Sequence, residues 1–228
     1  MGKIFGNNDK EHFAPLCQVC YESPERKAEQ EAEHLANIRT QRIERTARLM
    51  DEISRIVPPL YRDAHINGLK PVFRETFFKL SPSEGLFLSS PVGVGKTHAL
   101  YAFARYFILK GVDVIFYRYE DLLCDIRASY TSDSVVDEMK LLNRLKNVRK
   151  LFIDDLGTTS GINVETDFSL RTLFNILDHR INYCLPTFLS SNKTIEELGQ
   201  SFDKRIFSRI AGSCQVLNLS GKDKRLKQ

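Results

Sequence analysis

No apolar run in this 228-residue chain approaches the ~20 residues that a membrane-spanning helix needs, so no helical span and no membrane partner are expected. The opening Met1-Gly2-Lys3-Ile4-Phe5-Gly6-Asn7 has no long apolar core and lacks the Ser or Thr of a myristoylation signal. It reads as neither a secretory leader nor a lipid anchor, and the expected compartment is cytoplasmic. The excess of one sign of charge over the other is small too. A net charge of +4 permits nucleic-acid binding without demanding it. Internal repeats and low-complexity tracts are absent. Cysteine is limited to five residues, which in the cytosol are expected as thiols or metal ligands rather than disulfides. Cys17 and Cys20 form one Cys-x-x-Cys pair, with only His12 and His34 nearby. Tetrahedral zinc needs four ligands, so free thiols are expected there, with a zinc held within or between chains as the alternative. Cys124, Cys184 and Cys214 lie among apolar residues and read as core.

What is present is a soluble globular composition, 42% hydrophobic and 27% charged, with two motifs of strong chemical content. The first is Ser90-Pro91-Val92-Gly93-Val94-Gly95-Lys96-Thr97-His98. It follows an apolar run, Leu86-Phe87-Leu88, and opens an apolar-rich helical segment. A strand, a glycine-bearing loop ending in Gly-Lys-Thr, and a helix make a phosphate cradle of backbone N–H groups and a helix N-terminus. Lys96 would reach the β- and γ-phosphates and Thr97 would hold Mg2+. Ser90 stands where the pattern expects a first glycine; it keeps its N–H and many of the same backbone angles. Gly93 and Gly95 sit where the backbone must come close to the ligand.

The second motif is Lys150-Leu151-Phe152-Ile153-Asp154-Asp155-Leu156-Gly157, an apolar strand ending in two acids. Asp154 would join the Mg2+ shell and Asp155 would polarise the attacking water. The segment between Lys96 and Asp154 has room for a helix, a strand and another helix. Together the motifs predict binding of ATP with Mg2+.

The rest of the chain fits an α/β domain. Residues 1–23 are polar and irregular. Residues 25–56 suit a long charged helix with a thin apolar stripe at Leu35, Ile38, Leu49, Ile53 and Ile56, ended by Pro58-Pro59. This gives a helical partner-binding region over 1–58 and an ATPase domain over 59–228. Strands are predicted at 85–89, 114–117, 151–153, 186–190 and 215–219. Helices are predicted at 97–109, 120–130, 135–145, 168–180, 195–198 and 203–210. Repeated βα units imply a five-stranded parallel sheet between helices, with the ligand at the carboxyl ends of the strands.

Four further features line up with the nucleotide motifs. Pro186-Thr187-Phe188-Leu189-Ser190-Ser191-Asn192 is a strand ending in an amide, and Arg205 and Arg209 lie four apart on one helix face. Gly221-Lys222-Asp223-Lys224-Arg225 lies at the end, and Pro58-Pro59-Leu60-Tyr61-Arg62-Asp63-Ala64 leads into the domain. Over roughly residues 55–228 this set resembles the DnaC/IstB branch of the AAA+ ATPases, which holds helicase loaders and transposition helper ATPases. The resemblance implies an AAA+ P-loop core without a separate C-terminal lid. It implies that residues 91–98, from Pro91 through Val92, Gly93, Val94, Gly95, Lys96 and Thr97 to His98, contact the nucleotide. It implies that Asn192 senses the γ-phosphate and that Arg209, with Arg205 as the alternate, completes a neighbour's site as an arginine finger. Arg225 would be a second sensor. It further implies an ATP-dependent ring or spiral in DNA replication, with a replicative helicase or a transposase as protein partner. Single-stranded DNA would lie against Arg127 and Tyr130. A nucleotide-dependent scaffold with little turnover is the reading from another class.

Overall fold

The computed structural model describes residues 24–131, 135–157, 167–201 and 204–221. The chain divides into two units, the first ending at Arg48 and the second beginning at Leu49. Helix α1, Pro24–Ile56, is charged along most of its length, and Leu35 and Ile43 remain 59% and 62% exposed on it. Its second-unit residues behave differently. Ile53 is buried, Leu49 and Ile56 are half-buried, and all pack with Val57 into the core. The apolar stripe is therefore two stripes, one committed to the core and one left on the surface.

Two 3-10 turns, Pro59–Tyr61 and Ile66–Gly68, lead to α2, Pro71–Lys79. Then come β1 (Gly85–Ser89), α3 (Lys96–Leu109), β2 (Val114–Arg118), α4 (Tyr119–Thr131), α5 (Val135–Asn147) and β3 (Lys150–Asp154). The chain continues through α6 (Asp167–Asn182), β4 (Thr187–Ser191), α7 (Ile195–Ser201), α8 (Lys204–Ser213) and β5 (Cys214–Asn218). Helix α2 was not expected from the sequence. Its nine residues bury only Phe73 and Phe77, too few for a readable period. Strand β4 begins one residue later than expected, which puts Ser191 inside the strand and Asn192 immediately after it.

All five strands are parallel, in the order β2-β3-β4-β1-β5. Alternation sends successive side chains to opposite layers. Phe87, Ile115, Leu151, Ile153 and Leu189 meet α4 to α8 on one face. Leu86, Leu88, Val114, Phe152 and Phe188 meet α2 and α3 on the other. Register then builds an aromatic row. Phe116 pairs with Phe152, and Phe152 with Phe188, stacked at 5.8 and 4.7 Å between ring centres. Tyr101 of α3 stacks on Phe116 at 4.1 Å. Phe152 and Phe188 are buried, and each such ring contributes about 1.5–3 kcal/mol of apolar burial.

Two cysteines depart from expectation: Cys124 and Cys184 are exposed and Cys214 is half-buried. Helical period explains Cys124, since Leu122, Leu123 and Ile126 turn inward and leave position 124 outside. Cys184 sits in the turn after α6 with φ 54. No described helix is long and apolar enough to cross a membrane.

Candidate nucleotide site

The site forms at the carboxyl ends of β1, β3 and β4. Strand β1 ends at Ser89, whose carbonyl accepts the Leu219 N–H at 2.7 Å and whose hydroxyl donates to the Lys193 carbonyl at 3.0 Å. The chain then turns through Gly93 and Gly95, with φ of 79° and 108°. A side chain would strain either position, which is why glycine stands at both. Gly95 caps α3 and leaves the first backbone N–H groups of that helix without helical partners. These donors and the helix dipole suit an anion.

Lys96, the first residue of α3, is buried. Its ammonium donates to the carbonyls of Ser90 (2.7 Å) and Pro91 (3.1 Å), to the Ser90 hydroxyl (3.2 Å), and to Oδ1 of Asn192 (2.7 Å). The last contact joins the loop after β1 to the end of β4. The sequence motifs that named Lys96 and Asn192 separately are thus in direct contact.

Asp154 ends β3 with 1% of its surface exposed. It accepts a hydrogen bond from the Ser190 hydroxyl, and the Thr97 hydroxyl bonds it as well. Ser190 also takes the Asp155 N–H at 3.1 Å, its own carbonyl takes the Leu156 N–H at 2.7 Å, and Ser191 donates to the Leu156 carbonyl at 2.6 Å. Two serines of β4 therefore fix the turn that carries the acidic pair. Asp155 takes a left-handed φ of 58°, a conformation Asp tolerates better than most residues. Neither Ser190 nor Ser191 carries a signal of its own in the sequence; their value comes from the neighbouring strand, which no local pattern reveals.

Burial pushes the Asp154 carboxyl above its ordinary range, opposed by the Ser190 and Thr97 hydroxyls and reinforced by the charge of Asp155. Among the described residues no cation pairs with it. A buried carboxylate beside a hydroxyl is an oxygen donor set suited to Mg2+, which prefers one or two protein oxygens together with phosphate and water. Asp154 and Thr97 would hold such an ion, and it would supply positive charge against the phosphates.

The raised proton affinity has a stability consequence. An acid raised in the folded state keeps its proton after the unfolded chain has lost it. Asp154's contribution is therefore fully present below the ordinary carboxylate range and is lost as pH rises through its folded-state value. Without nucleotide, Asp154→Asn is expected to melt a few degrees higher than the parent at neutral pH. About 1 kcal/mol moves a chain of this size by roughly 2–4 °C. The gap should close at acid pH. Thermal melts across a pH series check this, and equal midpoints at pH 7 would refute it.

A cavity of about 480 Å3 adjoins the phosphate loop, lined by residues 92–98, Asp155 and Asn192. Its other wall is Leu60, Tyr61, Leu69, Lys70 and Phe73, none of which the sequence had assigned to the site. Tyr61 stacks on Tyr101 at 4.7 Å and lies 6.3 Å from the His98 ring. An apolar, aromatic wall beside a phosphate cradle fits a base. Pro91 contributes its carbonyl to Lys96 but does not line the cavity.

Arg209 is on α8, bonded to Asp178 of α6. Arg127 is exposed on α4. The side chain of Tyr130, and Cys17, Cys20 and Arg225, lie outside the described residues. Among the described residues no three His, Cys, Asp or Glu side chains gather as a metal cluster.

Residues 77–228 match the family described as IstB-like ATP binding protein. The chain is 29% identical over 133 residues to the replicative helicase loader DnaC of Buchnera aphidicola subsp. Baizongia pistaciae, covering 58% of this chain and 52% of that protein. It is 27% identical over 165 residues to the replicative helicase loader DnaI of Bacillus subtilis, covering 67% of this chain and 51% of that protein. The chain thus spans about half the length of the curated relatives it matches. Its fold is similar to the crystal structure of the DnaC helicase loader, with a TM-score of 0.61 and 20% identity over 71% of this chain and 99% of that one.

Proposed function

Because the chain belongs to the IstB-like ATP-binding family of AAA+ proteins, we propose that it is an ATPase that loads a replicative helicase onto DNA. The observation that carries this reading is the similarity of its nucleotide-binding part to proteins named as replicative helicase loaders. In this reading Lys96 and the N-terminus of α3 grip the phosphates, and Thr97 and Asp154 hold Mg2+. Asp155 orients the attacking water, and Asn192 couples the γ-phosphate to β4 through Lys96. The base lies against Tyr61, Leu69 and Phe73. Arg209 of one subunit completes the site of the next, so turnover depends on self-association into a ring or spiral. Arginine fingers contribute roughly 10³–10⁵ in rate. Arg225 is a second-sensor candidate, and the protein acts in the cytoplasm.

The exposed half of the α1 stripe offers the helicase a helix-in-groove contact. The expected result is that the full chain retains a replicative helicase in an ATP-dependent pull-down. The double variant Leu35→Glu and Ile43→Glu should lose capture while ATP affinity stays within about twofold, since exposed substitutions away from a site are near neutral. Undiminished capture by this variant would move the helicase contact to the ATPase unit. Single-stranded DNA binding is assigned to the assembled ring, where many weak phosphate contacts add and fall steeply with salt.

The family's IstB-like description favours a second reading, a transposition helper ATPase. A transposase captured in place of a helicase, with preference for duplex DNA, would select it.

A further inference from the structure

Arg209 is held on two sides. Its Nε and Nη2 both donate to Oδ1 of Asp178, at 2.7 and 2.6 Å. Its guanidinium carbon lies 5.2 Å from the centre of the Phe174 ring. Phe174 and Asp178 are one turn apart on α6, as Arg205 and Arg209 are on α8. Arg205 shares the Phe174 ring at 5.0 Å. Beside this quartet the two helices are closed by buried Leu173, Ile176, Leu177, Ile206 and Ile210. The seam is fixed, and the quartet sits at its half-exposed rim.

The geometry specifies which part of the guanidinium is used. Asp178 takes the Nε–Nη2 edge and Phe174 takes the plane. Nη1 has no hydrogen-bond partner among the described residues. A planar group held at one edge and near an aromatic ring presents its remaining edge in one orientation. An unheld arginine would have to lose rotamer freedom each time it engaged a phosphate.

We propose that Asp178 and Phe174 are positioning residues that set Arg209 for use in a neighbouring subunit's nucleotide site. The proposal rests on reading Arg209 as the arginine that acts in trans. Asp178 neutralises one edge of the guanidinium and leaves the Nη1 edge to meet the phosphate. Removing it leaves the arginine charged, present and misaligned.

The test compares Arg209→Ala, Asp178→Ala and Phe174→Leu in the full chain by steady-state ATP turnover and by ATP titration. Arg209→Ala is expected to lose roughly 10³ in turnover. Asp178→Ala should lose about 10- to 100-fold, as expected for a group displaced by about 1 Å, with ATP affinity unchanged. Phe174→Leu, which keeps the apolar contact but removes the ring, should fall between Asp178→Ala and the parent. Asp178→Glu should restore part of the loss.

Each variant is then mixed with Asp155→Asn, whose own site is inactive but whose Arg209 is correctly held. Asp178→Ala sites are expected to recover turnover in the mixture, because their neighbour now supplies an aligned arginine. An ordinary ion pair across a helix seam would give no such recovery. Parental turnover in Arg209→Ala would overturn the trans reading and the positioning role with it. Slow turnover in Arg209→Ala beside parental turnover in Asp178→Ala would overturn the positioning role alone. So would turnover above the parent's in Asp178→Ala, which would make the carboxylate a restraint, or no recovery in mixtures where mixed assemblies form.

Discussion

Lys96→Ala is expected to weaken ATP binding by at least about 100-fold in titration calorimetry. Hydrogen bonds to charged groups contribute about 1.5–3 kcal/mol each, and 3 kcal/mol corresponds to roughly a factor of 150. The same ammonium, without nucleotide, ties the Ser90 and Pro91 carbonyls to Asn192. The variant should therefore also loosen the loop that forms the cradle, so both terms act against binding. Retained secondary structure by circular dichroism separates loss of the site from loss of the fold. An unchanged affinity would show that the phosphates lie elsewhere.

Arg180→Leu is expected to cost about 3–5 kcal/mol in urea unfolding, because a buried acceptor left without its donor costs about 1–3 kcal/mol and several are stripped at once. Arg180 is wholly buried. It donates to Thr187 Oγ1 (2.9 Å) and to the carbonyls of Leu145 (2.9 Å), Lys146 (3.3 Å), Val148 (2.8 Å) and Pro186 (2.8 Å). Three of those carbonyls lie at or just beyond the end of α5, where helical partners run out. Burial lowers its proton affinity to about 10, so it remains charged at neutral pH, solvated by carbonyl oxygens. Leucine would fill much of the volume and leave those oxygens buried without a donor. Domains are stable by only about 5–15 kcal/mol, so the loss is a large fraction. An unfolding free energy within about 0.5 kcal/mol of the parent's would refute it.

Arg180 also marks where sequence reading stops. The expected helix 168–180 ended on this residue, and a basic residue at a helix end is ordinarily a solvated one. Only its hydrogen bonds to the end of α5 and to the start of β4 show that it is interior. The phosphate loop was legible because its chemistry is contiguous: glycines at fixed offsets, then Lys96 and Thr97. Asp154 was legible because an apolar run leads straight to it. Ser190, Tyr61, Leu69 and Phe73 were not, because each reaches the site from a different segment and carries no local signature. The strands were legible to within a residue from apolar runs bounded by turn residues. Helix α2 was missed because a nine-residue helix with two buried rings has too little period to distinguish it from a loop.

The strand order also sets a timetable. β1 carries the phosphate loop, yet it has no partner among the strands made next. Leu86 pairs with Phe188 of β4 and with Gln215 of β5, the last two of the described strands in chain order. β2 and β3 can pair first, while Leu86, Phe87 and Leu88 wait as an unpaired apolar segment. Such long-range parallel pairing is intrinsically slow and exposes the waiting strand to mispairing. The nucleotide cradle is begun early in synthesis and is among the last parts to be finished. A nascent chain short of Thr187 has the Gly-Lys-Thr loop but neither of the strands that pair with β1, so the cradle has no neighbouring strand to hold it until most of the described chain has been made.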